Sequence, residues 1–209
     1  MKKSTACLLF AVYCLLFSCK TIQLTDFNVG SPIQNKLPAL EYNSELPANN
    51  YLPMYYGSYM VNTPQNDARS MFNKLIQDDV SNPVGEKYGY ASYDITIGVN
   101  KLGGMGYYML SIFTLTMPNL FGLPYFIAKS SVEVNVKISD SNKELIGIYK
   151  STGETKTYVA YYYGYGMMDA LRAANIKALQ AAFTNIGVQI EKESSSLIQK
   201  LKEKGPIKK

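Results

Sequence analysis

Val132, Val134, Val136 and Ile138 alternate with Glu133, Asn135 and Lys137. Successive side chains of a strand point to opposite faces, so this period of two describes a strand with one face buried, and no helix satisfies it. Asp140-Ser141-Asn142 supplies a turn and residues 145–149 return, which makes the segment a hairpin. A lone hairpin is marginal in water and needs further strands and a cover. Tyr93, Ile95, Ile97 and Val99, alternating with Asp94, Thr96 and Gly98, offer another strand, residues 155–163 one more, and residues 52–60 a short one.

The cover is a helix expected from about Met167. Ile176, Leu179, Phe183, Ile186 and Ile190 form one apolar stripe, and Ala170, Ala174, Ala178 and Ala182 run beside it, small enough for close approach to a sheet. Asp169 suits the first helical turn, where a carboxylate meets the positive end of the helix dipole. Gly187 is a candidate interruption. An earlier helix is expected from Thr63 as N-cap and Pro64 at the first helical position, with Ala68, Met71, Phe72, Leu75 and Ile76 on one face. This order predicts an α+β fold: a mostly antiparallel sheet of about four or five strands with helices packed on one face.

Residues 102–128 contain no charged side chain. The stretch exceeds the roughly 20 residues of a transmembrane helix, but Pro118, Gly122 and Pro124 break any single helix. Residues 107–117 are long enough for a tilted barrel strand, yet Ser111, Thr114 and Thr116 supply the required alternation only in part. The plainest reading is a buried strand or short helix followed by a turn. A surface loop contacting lipid or a partner, and a spanning element of an oligomer, are the others. Large exposed apolar patches mark interfaces. If exposed, the surface to test holds Tyr107, Tyr108, Phe113, Leu120, Phe121 and Phe126.

All three cysteines, Cys7, Cys14 and Cys19, sit in or beside one apolar run at the N-terminus. Lys2 and Lys3 precede it and residues 4–18 are uncharged. This suits the core of a secretory signal and is short for a spanning helix. Leu16-Phe17-Ser18-Cys19 resembles the bacterial lipobox. That resemblance implies diacylation of Cys19, cleavage before it and acylation of the new amino terminus. Several acyl chains exceed what stable membrane anchoring requires. Lys20 in place of an aspartate implies outer-membrane delivery, and 20–24 lack an acidic surface-export tag, which implies a periplasm-facing molecule. Cys7 and Cys14 leave with the signal as small apolar residues of its core.

The expected organisation is a signal peptide at 1–18, a lipid-anchored flexible tether at 19–50 rich in Pro, Asn and Ser, in which Leu37-Pro38-Ala39-Leu40-Glu41 is a candidate to dock on the domain, a globular α/β domain at 51–190 and a polar helical, basic tail at 191–209. Loss of Lys2 and Lys3 takes two from the formal net charge of +5, a mild balance that supports no nucleic-acid partner.

Ser111-Ile-Phe-Thr-Leu-Thr-Met-Pro118, the Val-rich strand with Asp140, Tyr161-Tyr-Tyr-Gly-Tyr165 and the Ala-rich helix from Asp169 resemble small bacterial envelope lipoproteins. The layout of residues 60–190 is more remotely similar to the curli-secretion lipoprotein and to lipoprotein activators of penicillin-binding proteins. The likeness implies helices against a sheet and no catalytic residues. The curli-type channel inserts hairpins into the membrane, and 102–128 would be the analogous segment.

The chain has no histidine, which excludes Ser-His-Asp and Cys-His catalysis and histidine-ligated zinc. Gly164-Tyr165-Gly166 lacks the third glycine of a dinucleotide loop, because Asp169 stands there and repels phosphate. No cofactor and no metal site is expected. Tyr161, Tyr163 and Tyr165 are candidate aromatic contacts for a glycan or peptide. Asp78, Asp79, Asp94, Glu154 and Asp169 are scattered carboxylates that no spacing pairs for acid–base work.

These features predict a non-enzymatic outer-membrane lipoprotein acting as scaffold, assembly accessory or protein-binding module. Its acyl chains meet the membrane, and an envelope protein or a second copy meets the domain. The rivals are a subunit of an oligomeric export channel and a protein that binds or modifies cell-wall polymer.

Overall fold

The structure, a computed structural model, describes residues 20–30, 32–42, 55–56, 59–60, 64–161 and 163–207. The expected signal peptide, Cys19, the N-cap Thr63 and Tyr162 lie outside the described residues. In chain order the elements are β1 (Leu40–Tyr42), β2 (Tyr55–Tyr56), β3 (Tyr59–Met60), α1 (Pro64–Lys74), β4 (Gly89–Gly103), α2 (Met105–Phe113), α3 (Met117–Leu120), β5 (Phe126–Asp140), β6 (Leu145–Val159) and α4 (Met167–Lys204). A 3-10 turn at Leu24–Phe27 precedes them, and a π-helical stretch at Leu75–Val80 continues α1.

The main sheet has the order β1-β4-β5-β6. β4, β5 and β6 are antiparallel and β1 joins the edge parallel to the start of β4. α1 and α4 lie on one face. This is the α+β arrangement read from the sequence. β2 and β3 form a separate two-residue hairpin within 52–60.

The alternation of β5 sets the inner face. Val132, Val134, Val136 and Ile138 are all buried, and Ala91, Tyr93 and Ile95 of β4 join them. The stripe of α4 covers them with Ile176, Leu179, Phe183, Ile186 and Ile190, and α1 adds Ala68, Met71 and Phe72. The Phe72 ring lies 4.3 Å from that of Tyr93. α4 rests close to β6 at Gly153, where a Cβ would collide with the Ala178 carbonyl oxygen. Asp67 of α1, buried, accepts two hydrogen bonds from Arg172 of α4 at 2.9 and 2.8 Å. The paired hydrogen bonds fix one helix against the other.

Several expectations change. Residues 145–149 and 155–163 are not two strands. One strand, β6, runs from Leu145 to Val159, and the chain then turns through 160–165. A β-bulge between Ile97 and Val99 reverses the phase of β4, so Val99 is exposed instead of continuing the buried row of Tyr93 and Ile95. Gly187 does not interrupt α4, and 191–204 is no separate tail: Leu197 and Leu201 are buried in the same core.

Of the flexible tether expected at 19–50, residues 37–41 dock as the candidate reading has it, and the other described residues are corrected. Residues 20–30 and 32–42 are strapped along the body. The Lys20 amide donates to Gly164 O at 2.9 Å, Ile33 N to Asp79 O and Leu37 N to Val80 O. Gln180 of α4 donates to Asn28 O, and Glu191 of α4 accepts from Gln34 N. Val29, Ile33, Leu37 and Leu40 are buried. Their side chains supply the apolar burial that holds the strap down.

Candidate functional site

The charge-free insert forms a cap at one end of the sheet, where β4 stops, β5 starts and β6 stops. Gly104, at φ 89°, turns the chain out of β4 and into α2. Leu115 and Thr116 then hold left-handed conformations, φ 50° and 62°, between α2 and α3. An L-residue there costs about 1–2 kcal/mol. Hydroxyls turn inward on the cap's own backbone: Ser111 Oγ donates to Tyr107 O at 2.7 Å and Thr114 Oγ1 to Leu110 O at 2.6 Å. Asn119 is buried and its amide donates to Leu123 O.

With those polar groups turned inward, the apolar side chains face out. Met105 is 68% exposed, Phe113 77%, Leu115 82% and Phe121 88%. Met109, Leu110, Ile112, Met117 and Leu120 are each about half exposed. The segment is therefore not the buried strand or buried helix of the plainest sequence reading. Nor is it a barrel strand or an inserted hairpin, because it folds as two short helices. No helix among the described residues is long and apolar enough to cross a membrane.

Tyrosines fasten the cap. The Tyr108 ring stacks on Phe126 at 5.0 Å, the Tyr163 hydroxyl donates to Gly122 O at 2.7 Å, and Tyr125 meets Tyr161 edge-on at 5.2 Å. Partial burial, reinforced by Tyr158 and Tyr107, holds the Tyr163 phenol above its ordinary range. Of the expected partner surface, Phe113, Leu120 and Phe121 project outward, Tyr107 and Tyr108 are partly exposed, and Phe126 is half-buried beneath Tyr108. The expected ligand platform of Tyr161, Tyr163 and Tyr165 is not one surface. Tyr165 is buried, its amide bonded to Tyr158 O, while Tyr161 and Tyr163 brace the cap. The chain turns here, so the alternation of a strand no longer sorts these rings.

Two features escape the sequence reading. The first is that Lys20, next to Cys19, pairs with Tyr165 at this same end of the sheet. The second is a row of lysines: Lys101 of β4 is opposite Lys129 of β5, which is opposite Lys156 of β6. All three are exposed. They line an open groove of about 660 Å³ on the uncovered sheet face, with Val99, Ser131 and Glu154. The sequence shows Lys101 and Lys129 only as the borders of the charge-free run; their meeting, and Lys156 with them, depends on register.

No protein-family model matches the chain, and no curated protein matches its sequence. Two solved structures share part of its path. One, from Caulobacter crescentus, is a candidate lipoprotein, 11% identical with a TM-score of 0.32, covering 68% of this chain and 86% of its own. The other, from Helicobacter pylori, is a candidate neuraminyllactose-binding hemagglutinin homolog, 14% identical with a TM-score of 0.35, covering 88% and 94%. At these scores neither likeness extends to function.

The carboxylates stay apart. Asp94 pairs with Lys137 at 2.7 Å. Asp79 is held above the usual carboxylate range by burial first and then by Asp78. Among the described residues no cluster of three metal-ligating side chains forms.

Proposed function

We propose that this chain is a lipid-anchored bacterial envelope protein, held in the outer membrane through Cys19 and facing the periplasm. In this reading it works without chemistry of its own, as a scaffold, assembly accessory or binding module. The supporting observation is the coincidence of two features at one end of the fold. Residue 20, one residue from the expected acyl group, is hydrogen-bonded beside β6, and the exposed apolar cap projects from that same end. Anchoring would hold the cap at the membrane and concentrate it on whatever it docks against.

Fractionation of cells expressing the wild-type chain and Cys19→Ala tests the anchor. The wild type should require detergent for extraction and carry acyl groups by intact mass. Cys19→Ala should carry no acyl group and should not be cut before position 19. A wild-type chain that is unacylated, or cut elsewhere, would remove the reading.

A further inference from the structure

We propose that the cap docks directly into an anionic phospholipid bilayer, so that the domain sits on the membrane in one orientation. The inference rests on the anchor reading only for the origin of the membrane; the docking surface itself is argued from the fold.

Three layers of side chains follow one another at this end. Outermost are Met105, Phe113, Leu115 and Phe121, with the rest of a charge-free α2–α3 segment. Behind them lie Tyr107, Tyr108, Tyr125, Tyr158, Tyr161 and Tyr163, gathered from three separate stretches of the chain. Tyrosine is enriched at membrane–water interfaces because its ring is apolar and its hydroxyl is not. Next comes the row Lys101, Lys129 and Lys156. The lysines stand two or three residues in from the strand ends, roughly 7–10 Å at the rise of a strand. Interfacial elements bury their apolar face about 5–10 Å into the headgroup region, which brings such a row to the phosphates.

The lysines carry the choice of a bilayer over a protein or a second copy. Like charges directly opposite one another in a sheet repel, and here three are adjacent. No ion pair reaches any of the three among the described residues, while Lys87, Lys137, Lys150 and Lys204 each have a carboxylate partner. Glu154 lies in the groove as its opposing charge. A dense plane of phosphates relieves the repulsion without needing a complementary shape. A second copy would bring its own lysines to the same face. The strap adds direction: residue 20 is fixed beside Tyr165, so chains attached to residue 19 enter the bilayer at the cap.

The chain has no tryptophan, so one introduced indole reports depth without background. Mature protein extracted from its membrane, carrying Phe121→Trp, is placed in phosphatidylethanolamine–phosphatidylglycerol vesicles with brominated acyl chains. Val84→Trp, at the opposite end and 85% exposed, is the control. Both sites are solvent-facing, so neither substitution disturbs the core. The indole at position 121 should be quenched several-fold more than the indole at position 84. Quenching should weaken in neutral phosphatidylcholine vesicles, and Lys101→Gln/Lys129→Gln/Lys156→Gln should remove that dependence. Each lysine is expected to shift the docked-to-undocked ratio about fivefold.

Equal quenching of the two sites overturns the proposal. So does emission from position 121 that is blue-shifted but unquenched, since a second copy or another protein then covers the cap. Intact mass on the same sample separates the two readings. Acylated protein with no quenching at position 121 keeps the anchor and loses the docking. Unacylated protein that floats with vesicles and is quenched at position 121 keeps the docking and loses the anchor. Unacylated protein that does neither loses both.

Discussion

The two ends of the sheet terminate in opposite ways. At the β5–β6 turn the chain closes on a buried carboxylate. Asp140 Oδ1 accepts from Asn142 N at 2.8 Å and Glu144 N at 2.9 Å, and Lys204 from the end of α4 lies 3.7 Å from Oδ2. The C-terminal segment is drawn in as well, with Ile207 N donating to Lys87 O. Asp140, Glu144 and Lys204 thus find their opposite charges within the chain. At the other end the connection between β4 and β5 is far longer, carries no charge and leaves large side chains in solvent. A terminus that only had to close would resemble the first. The contrast separates an end built for stability from an end built to meet something outside the molecule. Left-handed backbone does not divide them, since Leu115 and Thr116 adopt it at the second end and Lys143 at the first.

That contrast breaks most severely at the cap. Phe113→Ser with Phe121→Ser should weaken bilayer docking by about 4 kcal/mol, at roughly 2 kcal/mol for each buried ring. Folding stability in urea should change by less than about 0.5 kcal/mol, as for surface positions generally. A large loss of stability would mean that the cap is core after all.

Asp140→Ala is the mirror experiment. It strands two backbone donors and removes a charged acceptor, so stability should fall by about 3 kcal/mol. Quenching of an indole placed at position 121, read at a temperature where the variant is folded, should not change. A docking defect in this variant would mean that the two ends are coupled.

Leu115→Gly tests the cap end at a single residue. Glycine relieves the left-handed strain, which should stabilise the fold by about 1 kcal/mol and raise the melting temperature by about 2–4 °C. Docking should weaken in the same protein, because an exposed apolar side chain is lost. A fall in melting temperature would show that Leu115 packs within the fold.

The smallest effect belongs to the alkaline range and to the half of the sheet nearer the β5–β6 turn. Burial, then the hydrogen bond its hydroxyl donates to Glu193, pushes the Tyr149 phenol well above its usual 10.0. The folded state therefore holds this proton more tightly than the unfolded state does. The resulting stability is complete below about pH 10 and is lost as pH rises through the higher folded value. Tyr149→Phe should flatten that decline from about pH 10 upward, read as the shift in urea midpoint. An unchanged slope would mean that the phenol ionises freely in the fold.

How much of this is legible in the sequence differs by element. The Val132–Ile138 row and the Ile176–Ile190 stripe each name their buried face correctly, because burial of one face imposes its period on the side chains that face a common core. β6 reads as two pieces because Lys150-Ser-Thr-Gly-Glu154 shows no apolar alternation. Its inward positions are Ser151 and Gly153, small enough for the close approach of α4. Val99 is misplaced because a bulge shifts phase without changing composition. The N-terminal strap reads as a tether because Gly30, Pro32 and Pro38 break any regular element there; Val29, Ile33 and Leu37 are buried by irregular chain lying along the body. The cap stands out as the segment to question, but its apolar sequence suits a core as well as it suits a surface.

Sequence alone therefore settled the class of fold, the buried faces of β5, α1 and α4, the lack of histidine chemistry and the charge-free stretch. Those properties are local, carried by spacing and side-chain type. It takes the folded molecule to put the stretch outside the core, Lys101, Lys129 and Lys156 in one row, and residue 20 at the same end. Each of these depends on which residues far apart in the chain are paired, and pairing register is set by the packed whole.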